Sequence, residues 1–186
     1  MRRLLFAANW KMHLGPDEAR AYVKTFRARY NRREDREVWF FPPAVSVEAA
    51  AQTARALPVP FMLTARTESF LRGNPNLDDV IKRLQAFERA GADVLMAPGL
   101  PDLAAVRAVC AAVSKPVNFM AGIKGKSFTV AELEAAGVRR ISLATSLYRY
   151  AMTNLVEAAR EVKDKGTFGY IDRSIPTPDL AAFMQG

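Results

Sequence analysis

The sequence predicts a parallel α/β fold built from about six βα units. Short apolar runs alternate with helical stretches from one end of the chain to the other, the order that sets a parallel sheet among helices. The apolar runs are continuous instead of alternating with polar residues, as expected of strands covered on both faces. At 186 residues and 50% hydrophobic content the chain can enclose one core, so residues 1–186 read as a single domain.

Residues 4–9 form an apolar strand. Pro16, Asp17 and Glu18 then open a helix that runs to about Tyr30, with an acidic first turn suited to the helix dipole. Ala19, Tyr22, Val23, Phe26 and Tyr30 share its apolar face. Residues 38–41 make a second strand, stopped by Pro42 and Pro43, and Ser46 caps a helix to about Leu57. A third strand spans 61–66. After the turn residues 73–76, a long helix begins at Asp78 and ends at Gly91. Strand 93–97 is followed by helix 101–113, and strand 116–121 by a short helix capped by Thr129 and closed by Gly137. Strand 140–144 leads into a final long helix, 146–165, ended by Gly166, and a short helix follows Asp179 in the tail.

Composition excludes several function classes. The lone Cys110 forbids an internal disulfide, and its apolar helical setting (residues 104–113) marks a buried structural thiol. His13 is the only histidine, so no His-rich metal site and no His relay can form. No run approaches the apolar length of a membrane span, and Asn9, Lys11 and His13 interrupt the N-terminal apolar stretch, so a soluble cytoplasmic protein is expected. Net charge is +8, densest over residues 27–36. That run falls at a helix end and the loop after it, where cations meet the negative end of the dipole, and no nucleic-acid motif accompanies it.

Two segments carry family resemblances. Asn9-Trp10-Lys11-Met12, with Phe41-Pro42-Pro43 and the Ser-capped helix after it, resembles the first two βα units of triosephosphate isomerase. The resemblance implies that Asn9 and Lys11 project into an active site, the lysine holding a phosphate and balancing enolate charge. Strand spacing puts both on one face at a strand's C-terminal end, where barrel chemistry sits. The glutamate base, the histidine electrophile and the Gly-rich phosphate loops of that family have no match downstream, and proton abstraction next to a carbonyl needs its base.

From about Phe61 to Phe168 the chain resembles the isocitrate lyase/PEP mutase family, in its last four βα units. The carrying residues are Leu63-Thr64-Ala65-Arg66-Thr67-Glu68, the stretch Arg83 to Ala92, Ala97-Pro98-Gly99, Pro116-Val117-Asn118, and Gly137 to Ser142. This likeness implies a TIM-barrel-like fold and Mg2+-dependent chemistry at a C–C or P–C bond beside a 2-oxo acid. It also implies that Arg66 reaches the substrate carboxylate and that Asn118 lines the same pocket. A planar fork of donors suits Arg66 to that task; an ion pair with Glu68 or Asp93 is the structural alternative, as a satisfied core amide is for Asn118. The family's metal-binding aspartates lie on early strands that the isomerase-like segment occupies here, and Pro98 stands where many members carry a glutamate.

Other apparent motifs fail. Residues 122–127 resemble a phosphate loop, but Met120 sits where its first glycine belongs; Lys124 and Lys126 can still hold an anion. Ser142 and Ser146 have no histidine within sequence reach, so no triad forms. The expectation is therefore a recombined or engineered chimera, isomerase-like over 1–58 and lyase-like over 59–186, serving as a barrel scaffold without efficient catalysis. The alternative is a Mg2+-dependent C–C lyase or decarboxylase of a small 2-oxo acid, or a binder of small carboxylate or phosphate anions. Candidate catalytic residues are Lys11 and Arg66, and candidate substrate contacts are Asn9, Asn118 and Lys124. No metal ligands are assigned, and no cofactor is expected unless lyase activity brings Mg2+. Six strands in place of eight leave an incomplete barrel, or one completed by a second copy, since strand number sets barrel diameter and open edges pair. A homo-oligomer is expected, with neither a nucleic-acid nor a membrane partner.

Overall fold

The computed structural model describes residues 4–10, 13–31, 33, 35–56 and 62–184, with backbone alone at positions 4, 5, 7, 9, 36, 37, 39, 41, 44 and 184. The chain divides into two compact units, Met1–Leu143 and Ala144–Gly186.

All six strands lie in the first unit and alternate with helices: β1 Leu4–Asn9, α1 Pro16–Arg29, β2 Arg36–Phe41, α2 Val47–Arg55, β3 Thr64–Arg66, α3 Leu77–Arg89, β4 Val94–Met96, α4 Leu103–Ala112, β5 Val117–Met120, α5 Val130–Ala135 and β6 Arg140–Ser142. Every strand pair is parallel, β1 with β2 and β3-β4-β5-β6 in sequence order. A parallel bridge between Phe40 and Leu63 joins the two sheets. The expected parallel α/β, TIM-barrel-like architecture is thus present. Among the described residues β1 and β6 are edge strands and share no ladder.

Local chemistry explains the ends of the elements. Asn76, not Asp78, caps α3, its side chain accepting from the Asp79 amide at 3.0 Å. Asp102 caps α4 in the same way through the Ala105 amide at 2.8 Å. Thr129 and Glu132 close a reciprocal capping box on α5, and these hydrogen bonds hold the Glu132 carboxyl below the usual carboxylate range. Gly137 ends α5 at φ +97°, where a side chain would also press on Cys110 Cβ at 2.9 Å. Cys110 is half-buried where full burial was expected; desolvation pushes its thiol up, with Arg139 opposing.

The sheet sorts its side chains by parity. Ala65, Leu95, Val117, Phe119 and Ile141 face the helices and meet Val80, Leu84, Val106, Val109 and Leu133 in the main core. A smaller aromatic cluster, Trp10, Phe40 and Val23 with Phe26, secures α1 on β2. No residue of the second unit is buried among those described. In it α6, Ser146–Lys165, ends at Gly166 in the left-handed region, and α7, Thr177–Met184, starts earlier than expected because Pro178 is tolerated in a first turn. Between them the Glu161 carboxylate accepts from Thr167 Oγ1 at 2.9 Å and the Gly169 amide at 2.6 Å, which keeps it below the usual range. Among the described residues no helix is long and apolar enough to cross a membrane.

Leu95 is fully buried at the centre of the four-stranded sheet. Leu95→Ala is expected to lower unfolding free energy by about 2–5 kcal/mol, read as a lower urea midpoint at unchanged slope.

Candidate active site

Register places the functional side chains. Arg66 pairs with Met96, Met96 with Asn118, and Asn118 with Arg140, so these four form one row across β3 to β6 on the face turned away from the helix layer. Met120 and Ser142 form the next row toward the strands' C-terminal ends. That end is where loops leave a parallel sheet and where barrel chemistry is assembled.

At the centre, Asn118 is 1% exposed and bonded at both ends of its amide. Its Oδ1 accepts from Arg140 Nη1 at 3.0 Å, and its Nδ2 donates to Ser142 Oγ at 3.0 Å. The amide therefore positions Arg140 by a charge-assisted hydrogen bond. Burial lowers the Arg140 guanidinium from its ordinary value, although it stays cationic. At the other end of the row, Arg66 Nε stands 2.5 Å from Glu68 Oε1 in an ion pair whose N–H does not line up as a hydrogen bond. Glu68 lies between two arginines, with Arg72 Nε at 3.5 Å from its second oxygen. The partner of Arg66 is thus Glu68; Asp93 instead accepts from the Leu63 amide at 2.7 Å.

The remaining candidates scatter. Asn9 ends β1 opposite Phe41, with its backbone alone described, and Lys11 lies outside the described residues. Lys124 is exposed on the loop after β5. Lys126 does not join it in an anion site, because its Nζ donates to the Gly99 carbonyl at 2.9 Å and ties the loops after β4 and β5 together. Arg140 and Ser142 face the same side as Asn118 and hydrogen-bond to it, and the sequence reading did not select them. Their signal was parity: Ile141 belongs to the core, so its two neighbours must face the other way.

The parallel strands, with Arg66, Asn118 and Arg140 in one row on the face away from the helices, define a TIM-barrel-like α/β protein. The model of the phosphoenolpyruvate phosphomutase family matches residues 35–163, and the chain belongs to that family. A solved protein of Burkholderia cenocepacia J2315, provisionally named a lyase/mutase, is 32% identical, with a TM-score of 0.84 over 97% of this chain and 69% of that one. A phosphonopyruvate hydrolase solved with oxalate and Mg2+ shares the fold at 16% identity, with a TM-score of 0.70 over 99% of this chain and 69% of that one. Triosephosphate isomerase of Bdellovibrio bacteriovorus is 37% identical over 57 residues, 31% of this chain and 23% of the isomerase, so the chain spans under a quarter of that relative.

These matches correct the expectation of an engineered chimeric scaffold. The family match crosses the supposed junction at 58/59 without a break, and the Burkholderia protein aligns with nearly the whole chain. The isomerase likeness is confined to 57 residues, 31% of this chain, and does not define a second parent. The Mg2+ seen in the hydrolase finds a poor fit here: among the described residues no three His, Cys, Asp or Glu side chains converge. Glu68 is the site's carboxylate, and two guanidiniums already hold it.

Asn118→Ala is expected to destabilise the protein by about 1–3 kcal/mol, because it removes a buried amide that a half-buried arginine donates to. Asn118→Asp should recover most of that loss, since a carboxylate can accept from both Arg140 and the Ser142 hydroxyl; urea denaturation of the two variants checks the order.

Proposed function

We propose that the chain is a C–C lyase or decarboxylase acting on a small 2-oxo acid. The observation that carries this reading is the single register row that sets Arg66, Asn118 and Arg140 on the inner face of the sheet. Arg66 Nε is taken up by Glu68, which leaves the terminal nitrogens as a fork for the substrate carboxylate. Asn118 steadies Arg140 beside it. Asn9, the last residue of β1, and Lys124, after β5, are proposed as further contacts, and Lys11 is proposed from the sequence motif alone.

For oxaloacetate the chemistry balances simply. The C3–C4 bond breaks and CO2 leaves, the electron pair moves into an enolate on the 2-oxo oxygen, and C3 then takes a proton to give pyruvate. Cations near the developing enolate charge lower that barrier, because a charge that appears only in the transition state rewards fixed opposite charges. The lyase/mutase name of the Burkholderia relative supports this class of reaction.

Pyruvate release from oxaloacetate, assayed with Mg2+ supplied, is expected above the metal-only background. Arg66→Ala should cut it by about 100-fold or more, the usual scale for a lost charge-stabilising donor. Background-level release by both proteins would remove the proposal. We also propose a homo-oligomer, supported by the edge strands and by exposed Leu147, Tyr150, Leu155, Ile171 and Phe183 in the second unit. Sedimentation should then return a mass that is a multiple of 20.6 kDa.

A further inference from the structure

We infer that Gly99 and Lys126 are positioning residues for Arg66, acting through the short helical turn that follows β3. The inference rests on the proposed carboxylate site and says what holds its arginine in place.

β3 ends at Arg66, and a 3-10 turn, Ser69–Arg72, follows it. Glu68 belongs to both. Its carbonyl accepts from the Leu71 and Arg72 amides at 2.9 and 3.0 Å, which builds the turn. Its carboxylate stands 2.5 Å from Arg66 Nε and 3.5 Å from Arg72 Nε. Thr67 ties the same segment to the sheet. The Thr67 amide donates to the Met96 carbonyl at 3.0 Å, and its hydroxyl meets Ser69 Oγ at 3.0 Å. Any shift of the turn therefore moves the carboxylate against which the Arg66 guanidinium rests.

The turn is seated by residues remote from Arg66 in sequence. Phe70 packs on the main core, and Phe70 and Leu71 together close on Gly99, in the loop after β4. A Cβ at position 99 would stand 3.0 Å from Leu71 Cδ2 and 3.3 Å from Phe70 Cβ. Gly99 also sits at φ +90°, where a side chain is strained, so glycine alone lets the turn come this close. From the loop after β5, Lys126 Nζ donates to the Gly99 carbonyl at 2.9 Å. A charged donor makes that hydrogen bond stronger than a neutral one, and it fixes the peptide on which the turn rests. The loops after β3, β4 and β5 are thus fastened to one another at the ends of the strands that carry Arg66, Met96 and Asn118. A guanidinium recognises a carboxylate through a planar fork, so its orientation matters as much as its charge.

Steady-state kinetics on oxaloacetate, with Mg2+ supplied, test this on Lys126→Met and Gly99→Ala. Each is expected to lower kcat/KM by about tenfold, through KM more than through kcat, because a misplaced fork holds the substrate less well. In an Arg66→Lys background no fork is left to position, and Lys126→Met should then cost less than about twofold. Gly99→Ala also strains the backbone, so the Lys126→Met pair decides the question, with urea midpoints confirming that both variants fold. Losses that multiply in the Arg66→Lys background would show Lys126 acting on the ligand directly and overturn the inference. Unchanged kinetics in Lys126→Met would overturn it too, and both outcomes leave the lyase reading intact. Release at the metal-only background by the unsubstituted chain would overturn the lyase reading and this inference with it.

Discussion

The molecule depends on the parallel register of β3 to β6. Each of these strands contributes only three or four residues, yet their pairing decides which side chains enter the helix layer and which line the inner face. A slip of one residue would send Arg66, Asn118 and Arg140 into the core and turn Ala65, Leu95 and Val117 away from it. Burying two unpaired guanidiniums among leucines costs far more than the sheet can return. The hydrophobic layer and the charged row thus enforce the same register from opposite faces.

That register also makes Asn118 the hinge of the site's electrostatics. A buried amide with both ends satisfied is structurally quiet, but its acceptor fixes where a partly buried cation stands. Glu68 plays the matching part at Arg66. Neither partner needs to touch a ligand to matter, because an arginine is useful for recognition only when its plane is held.

The second unit follows a different logic. Its long helix and the turn after it are ordered by local devices: a left-handed glycine cap and a carboxylate that gathers a hydroxyl and an amide. Its apolar side chains stay largely exposed. Local hydrogen bonds can shape a helix, but they do not bury area, and that distinction separates this unit from the first.

Strand order, helix positions and the parallel class were legible in the amino-acid sequence, because continuous apolar runs between capped amphipathic helices leave few alternatives. Arg66 and Asn118 were legible through their motifs. Arg140 was not: beside Arg139 in sequence, it is distinguished only by which of the two faces inward, and pairing with β5 decides that. The fate of Lys126 was equally hidden, since Gly99 lies 27 positions away in sequence. The supposed junction near residue 58 followed from an isomerase likeness over two βα units, but the family match spans residues 35–163 across it. By itself the sequence determined the elements, their order and the excess of cations over acids at the open ends of the strands, all local or compositional properties. Only the tertiary structure decided which cations share a row, because pairing between strands far apart in sequence sets it.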